Sequence, residues 1–391
     1  MKNNHLLIFI LAIGVFSILN TEMGIVGILP MVSEKYNIDI VQAGLLVSLF
    51  ALGVAVAGPI LPLLFSRFNR RRVMLWVLMI FTLCNVISIF APRFEIMLAA
   101  RVMPAFFHPV YCAMAFSTAA ASAEVGEAPR AVARINMGVA GGMVIGVPVS
   151  NFLASHLNLE AALGFFAMMT AICLLLTWLK MPDMPQTQSM SYGSQLCVLR
   201  RPMTWAAIAA VIFLNGSVFG VFNYLADYLA RITYTGAEWS CMLLFLYGIM
   251  NVAGSWLGGE LLSRRSLATV CMFPVCVMCI YMMIWLGGGN SLALMAVLII
   301  AWGILGGING NINQFWLAKA VPEAPDFGNG LFLTAANVGC MAGTFTGGWF
   351  IRYHGLGDVV LGGILFAAVG LLIVLCQSSS YNKALDVKHP L

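Results

Sequence analysis

Apolar runs long enough to cross a bilayer follow one another along almost the whole chain, and nothing else in the sequence constrains its fold as much. They fall at residues 6–30, 41–65, 73–91, 95–121, 133–156, 161–180, 204–230, 237–261, 267–287, 291–319, 329–351 and 357–377. A helix of about 20 such residues spans a hydrocarbon core of about 30 Å. Lipid offers no hydrogen bonds, so the backbone must pair with itself, either in helices or in a closed barrel. Barrel strands are short and alternate apolar with polar residues. These runs are continuous, so the expected fold is all-α and integral to the membrane, with twelve transmembrane helices. Composition agrees: 61% of the 391 residues are hydrophobic, 9% are charged, and the mean hydropathy is +0.94. A soluble domain carries about 25% charged residues. The first run is too long for a signal peptide, contains Glu22, and is followed by eleven similar runs.

The pattern breaks once, between Met181 and the run that starts at 204. Pro182, Pro185, a Gln/Ser/Thr/Tyr-rich stretch, Arg200 and Arg201 lie there. This reads as a linker, 181–203, joining two six-helix halves, 1–180 and 204–391. Orientation follows from the bias of Lys and Arg between alternate loops. With the N-terminus in the cytoplasm, fifteen of the twenty basic residues, from Lys2 through Arg70, Arg130, Lys180 and Arg264 to Lys388, are cytoplasmic. Four face the other side (Lys35, Arg93, Arg231 and Arg352), and Arg101 lies inside a run. Both termini are therefore expected in the cytoplasm. The net charge of +5 is distributed as membrane orientation requires, so no nucleic-acid partner is expected.

The halves share landmarks at one spacing. Arg264 follows Arg67 by 197 residues, and Gly339 and Gly343 follow Gly142 and Gly146 by the same 197. Parallel six-helix repeats characterise one large class of secondary transporters, whose substrate site lies near the bilayer midplane. The Gly-x-x-x-Gly pairs also permit close helix packing. Ten cysteines are present, nearly all inside apolar runs. The pair Cys276 and Cys279 has no histidine or second pair nearby, so it reads as packing rather than as a metal or redox site.

Several segments resemble the twelve-span drug:proton antiporters of the major facilitator superfamily, and within them the sugar-efflux and arabinose-efflux-permease branch. Asn20-Thr21-Glu22-Met23-Gly24-Ile25-Val26-Gly27-Ile28-Leu29-Pro30 is similar to a stretch of the first span in that branch. Ser66-Arg67-Phe68-Asn69-Arg70-Arg71-Arg72 resembles its basic gating loop, and Arg101 through Phe106-Phe107-His108 its fourth span. Gly142-x-x-x-Gly146-Val147-Pro148 resembles the antiporter motif of the fifth span, and Asn337-Val338-Gly339 with Gly343 the eleventh. The resemblance covers essentially the whole chain and implies a major facilitator fold, with Arg67, Arg71, Gly142, Gly146, Pro148, Gly339 and Gly343 in gating and packing. Two positions depart from the pattern. Ser66 stands where the loop usually has Asp, and Asn69 where it has Gly. In the family this loop latches helix ends in one state; without the acid, the charge-relay form of that latch lacks its carboxylate.

Glu22 is the one carboxylate well inside a run. An ionisable group in the membrane is costly, so a functional role is the default reading, and burial works against the charged form, as proton uptake requires. Arg101 lies at a similar depth, about two turns from the outer end of its helix, and stays charged. His108, seven residues on, projects from nearly the same face. At the 197-residue spacing the three match Phe219, Leu298 and Leu305, so the charges exist only in the first half. Glu22, Arg101 and His108 are the expected proton-coupling residues, against the alternative that they tie helices together. The second half offers neutral groups: Trp302, Gly306, Asn309, Asn313 and Trp316 at helical spacing, Asn215, Phe219 and Asn223 with Tyr224, and Asn337. Of these, Asn223, Tyr224, Asn309, Asn313, Trp316 and Asn337 are the expected substrate contacts, suited to a neutral polar or amphiphilic ligand; polar helix packing is the alternative.

The expected function is proton-coupled efflux, by alternating access, of a small sugar-like, drug-like or amphiphilic solute across a bacterial inner membrane. The proton gradient is the energy source, and no cofactor or metal is expected. Its partners are substrate, protons and lipid, and a monomer is expected. A uniporter or importer of the same fold is the alternative. An enzyme is less favoured, because no intramembrane catalytic constellation is visible, and a channel because no filter segment repeats. Reporter fusions after Lys180 and Lys383 should both report the cytoplasm; opposite locations would refute the twelve-span topology.

Overall fold

The computed structural model describes residues 2–38, 40–124, 126–184, 192–287 and 291–388. Among these residues the secondary structure is helical, with no strand. In chain order the α-helices are α1 (Lys2–Gly24), α2 (Leu29–Tyr36), α3 (Ile40–Ala57), α4 (Leu61–Phe65), α5 (Arg70–Ile89), α6 (Phe94–Ala105), α7 (His108–Ser122), α8 (Ala128–His156) and α9 (Leu159–Lys180). They continue with α10 (Tyr192–Leu196), α11 (Pro202–Phe222), α12 (Leu225–Arg231), α13 (Ala237–Trp285), α14 (Leu292–Ala320), α15 (Pro325–His354) and α16 (Val359–Lys388). Every apolar run falls on helix. Among the described residues, nine helical stretches are long and apolar enough to cross a membrane. The runs 237–261 and 267–287 form one of them, α13, which kinks where Arg265 takes non-helical angles (φ −143°, ψ 61°). Part of the proposed linker, residues 185–191, lies outside the described residues.

Four runs expected as single helices are interrupted instead, and proline lies at or near three of the interruptions. The first passes through a 3₁₀ turn, Ile25–Ile28, flanked by Gly24 and Pro30. The second breaks at Gly58 and Pro59, between α3 and α4. The fourth breaks at Phe106 and Phe107, between Pro104 and Pro109, and the seventh at Asn223 and Tyr224. Proline has no N–H to give the preceding turn and its ring crowds that turn's carbonyl, so it sits best in a first turn. Pro30, Pro62 and Pro109 occupy the first turns of α2, α4 and α7.

The chain divides into two compact units, Met1–Gln195 with Glu323–Thr334, and Leu196–Pro322 with Ala335–Leu391. In the first, α1 packs along α8 and α9, and α5 along α9. In the second, α13 packs on α14 and α16, and α11 on α16 and α14. The 197-residue repeat is visible in these packings. A Cβ placed on Gly142 of α8 would lie 2.8 Å from Leu19 Cβ of α1. In the second unit, one placed on Gly220 of α11 would lie 2.9 Å from Gly343 Cα of α15. The break in α11 recurs as well: Asn223 and Tyr224 stand 197 residues after Val26 and Gly27, inside the 3₁₀ turn that ends α1. Gly27 lies against the Val147 carbonyl, and its counterpart Tyr224 donates its hydroxyl at 3.0 Å to the carbonyl of Thr344, the counterpart of Val147.

Large apolar side chains such as Trp76, Trp178, Met272 and Leu372 are more than half exposed. Water does not tolerate so much apolar surface; lipid does. Shape, rather than hydrophobic segregation, then has to hold helices together, and the glycine contacts supply it. Gly220→Val should cost about 1–3 kcal/mol through overpacking and lower the thermal midpoint in detergent. Gly44→Ala, at a position with nothing within 4 Å of a new Cβ, should leave that midpoint unchanged.

Candidate functional site

The break after α1 shapes the polar cluster of the first unit. Glu22 lies in the last turn of α1, where backbone carbonyls lack partners farther along the helix. Arg101 of α6, only 4% exposed, donates from Nη2 to the Glu22 main-chain carbonyl at 2.8 Å. The guanidinium therefore caps the helix end and leaves the carboxylate to another group. That group is His108, first residue of α7, whose Nε2 stands 3.1 Å from Glu22 Oε2. The approach is within ion-pair distance but without the alignment of a full hydrogen bond. Phe50 of α3 lies against both side chains, 5.2 Å from the Arg101 guanidinium carbon to the ring centroid and 6.1 Å between the Phe50 and His108 ring centroids. His108 Nε2 also lies 3.7 Å from Cys112 Sγ. Arg101 Nε, His108 Nδ1 and both amide atoms of Asn20 are buried and unpartnered among the described residues. The three expected proton-coupling residues are thus brought together, with histidine rather than arginine facing the carboxylate.

In the second unit the amides form a different arrangement. Asn215 of α11 donates to the Ala336 carbonyl at 2.7 Å, and its Oδ1 accepts from Asn309 at 3.0 Å and Asn313 at 3.4 Å. Asn313 also donates to Asn309 Oδ1 at 3.1 Å. Asn309 and Asn313 are fully buried, so these amides join α11, α14 and α15 inside the unit. Trp316 is buried too and donates to Gln377 at 2.6 Å. Asn223, at the break, is exposed and donates to Thr344 Oγ1 at 2.7 Å, with Tyr224 half-buried beside it. Asn337 is exposed on α15. Phe222, Tyr247, Trp302 and Tyr281 pack as an aromatic group behind the break. A surface groove of about 520 Å³ lined by Leu75, Trp76, Leu175 and Trp178 is almost wholly apolar and reads as lipid-facing surface.

The basic loop holds a contact that sequence reasoning missed. Arg70 Nη2 lies 3.2 Å from both carboxylate oxygens of Asp326, in the first turn of α15, and Nη1 donates to Thr118 at 3.3 Å. Ser117 donates to the same carboxylate. Asp326 is 4% exposed. It reads in the sequence as an ordinary loop acid ahead of the run at 329; the missing acid at Ser66 was the only hint that another carboxylate serves this loop. Ser66 itself is buried and bonded to Gln195. Arg67 lies over the Tyr192 ring, and Arg71 donates to the Trp178 carbonyl at 2.7 Å. Further along α15, Phe332 meets Phe116 of α7 with ring centroids 5.9 Å apart. Pro148 sits inside α8, beside the Val147 carbonyl that Gly27 approaches.

Comparison with known proteins agrees with this architecture. The chain is 28% identical over all 391 residues to the inner membrane transport protein YdhP of Escherichia coli strain K12, covering 100% of both. It is 24% identical over 367 residues to a protein of Helicobacter pylori named "Probable sugar efflux transporter", covering 93% of this chain and 92% of that one. Among solved structures, the human organic anion transporter MFSD10 superposes with a TM-score of 0.78 at 14% identity, over 95% of this chain and 99% of its own. The Escherichia coli fucose:proton symporter FucP superposes with a TM-score of 0.74 at 15% identity, over 94% and 97%. At such identities the superpositions speak to the fold alone. The family model of the Major Facilitator Superfamily matches residues 11–344, so this chain belongs to that superfamily and is a membrane transporter of small molecules rather than an enzyme.

Proposed function

We propose that the protein is a proton-coupled exporter of a small, neutral polar or amphiphilic solute, with the Glu22 and His108 pair as its proton site. The observation that carries this reading is the division of labour around Glu22. Arg101 is spent on the main-chain carbonyl, and the carboxylate faces an ionisable ring at 3.1 Å. A proton shared by Glu22 Oε2 and His108 Nε2 has two alternative owners at one place, and the fixed guanidinium opposes the arrival of a further positive charge. Binding of a solute that disturbs this balance releases the proton; return of the proton expels the solute. The absence of matching charges in the second half favours a coupling role over a packing role shared by both halves.

On the solute side, Asn223, Tyr224 and Asn337 offer donors and acceptors at or near an interrupted helix. Interrupted helices at corresponding places in two repeats are where transporters of this kind expose free backbone groups to a ligand. Asn309, Asn313 and Trp316 stand behind them as the rigid support. The sugar-efflux name carried by the Helicobacter pylori relative supports a hydroxyl-rich or amphiphilic solute. The name of YdhP, with the bias of basic residues, supports the inner membrane and cytoplasmic termini. Arg70 and Asp326 take the part of the latch for which the loop lacks its own acid, holding one transport state.

Glu22→Gln imitates the protonated carboxyl with little change of shape. It should abolish concentrative efflux in inside-out vesicles with an imposed proton gradient, while solute binding or exchange persists. Wild-type protein in detergent should release protons when solute is added and bind it more weakly as pH falls; the variant should do neither. A variant that still released protons and still concentrated solute would make Glu22 structural, with His108 the next candidate.

A further inference from the structure

α4 has five residues, so its carbonyls have almost no partners within the helix. The segment after residue 191 supplies one. The Tyr192 hydroxyl donates to the Leu64 carbonyl at 3.0 Å. Its ring lies under the Arg67 guanidinium, 4.0 Å from the centroid. Gln195 Nε2 donates to Ser66 Oγ at 3.0 Å, and both side chains are buried. On the near side of the linker, Asp183 accepts from Asn69 Nδ2 at 3.3 Å, and the Met184 carbonyl accepts the Arg70 amide at 3.4 Å. Asp183 is 60% exposed, so its share is small. The buried Gln195 bond and the capped carbonyl weigh more.

Arg70 depends on where this corner of the backbone sits. One nitrogen, Nη2, serves both oxygens of Asp326, Thr118 takes Nη1, and Nε has no hydrogen-bond partner among the described residues. An arginine that engaged the carboxylate as a two-nitrogen fork would fix its own geometry. This one does not, and its bonds of 3.2 and 3.3 Å are at the long end of the range. Small movements of residues 64–67, one turn ahead of Arg70, therefore change the pair.

We propose that Tyr192 and Gln195 are positioning residues for the Arg70 and Asp326 ion pair. By capping α4 and holding Ser66 and Arg67, they set how long the first turns of α15 stay docked in the first unit. The linker then regulates the transport cycle, which a passive tether would not. The proposal rests on the reading that Arg70 and Asp326 hold one transport state.

Hydrogen–deuterium exchange of the full chain in lipid nanodiscs tests it. Replacing both residues, Tyr192→Ala with Gln195→Ala, should raise exchange in peptides covering residues 323–334 by about tenfold, the opening expected for the loss of one buried hydrogen bond. α14 should be unchanged. Tyr192→Phe with native Gln195 keeps the ring under Arg67 but removes the cap on Leu64, and should raise exchange at 323–334 by less than the double variant does. Arg70→Ala measures the loss of the pair itself. Unchanged exchange at 323–334 in the double variant, with a rise in Arg70→Ala, would overturn the linker's part and leave the latch standing. No rise in either would overturn the latch and the proposal together. A rise spread equally over α14 would show general destabilisation and overturn the positioning role.

Discussion

The bilayer core contains no water, and the rest of this structure follows from that. A backbone group that leaves the helical ladder must find a partner inside the protein. The helices therefore run unbroken wherever nothing forces them apart, and at two of the interruptions side chains reach across to a neighbouring helix. At the end of α1, the Glu22 carbonyl is taken by Arg101. At the end of α11, Asn223 and Tyr224 turn their side chains to α15. The most costly positions for the backbone are thus the ones where polar side chains gather, which is why the breaks and the candidate site coincide.

The same constraint separates the roles of the two units. Helix packing in lipid has no hydrophobic force behind it and relies on close backbone approach, so both halves keep their glycines at one spacing. Charge is too costly in lipid to be repeated without use. Glu22, Arg101 and His108 occur in the first half, while their counterparts Phe219, Leu298 and Leu305 are apolar. The second half spends its polar groups on amides that bond to one another, Asn215, Asn309 and Asn313, and on a few that are left exposed. One repeat carries ionisable chemistry and the other a neutral polar face, on a shared frame.

The basic loop draws its carboxylate contact from a distant segment. Ser66 replaces the usual acid, and its hydroxyl is tied to Gln195. The carboxylate reached by the loop comes instead from Asp326, more than two hundred residues away in sequence. Salt bridges buried this deeply contribute little net stability, because desolvation offsets attraction, but breaking one partner leaves a costly charge. Such a pair suits a contact that must be made and unmade as a unit.

Much of this was legible in the sequence, since lipid acts on each segment locally. Apolar length specified helices, loop charge specified the expected orientation, and one repeated spacing specified two related halves. Glu22, Arg101 and His108 stood out because each is an ionisable residue in an apolar run, and a single residue's cost can be read without knowing its neighbours. The pairing among them could not be read in this way. That histidine faces the carboxylate while arginine caps the main chain depends on a break after Gly24 that frees one carbonyl. That Asn309 and Asn313 bond to Asn215 depends on how α11 and α14 are turned towards each other. Asp326 reads as a loop acid until α15 brings its first turn against Arg70. Apolar periodicity and residue cost are properties of a segment and belong to the sequence; hydrogen bonds between segments depend on distance and angle across the fold, and only the tertiary structure decides them.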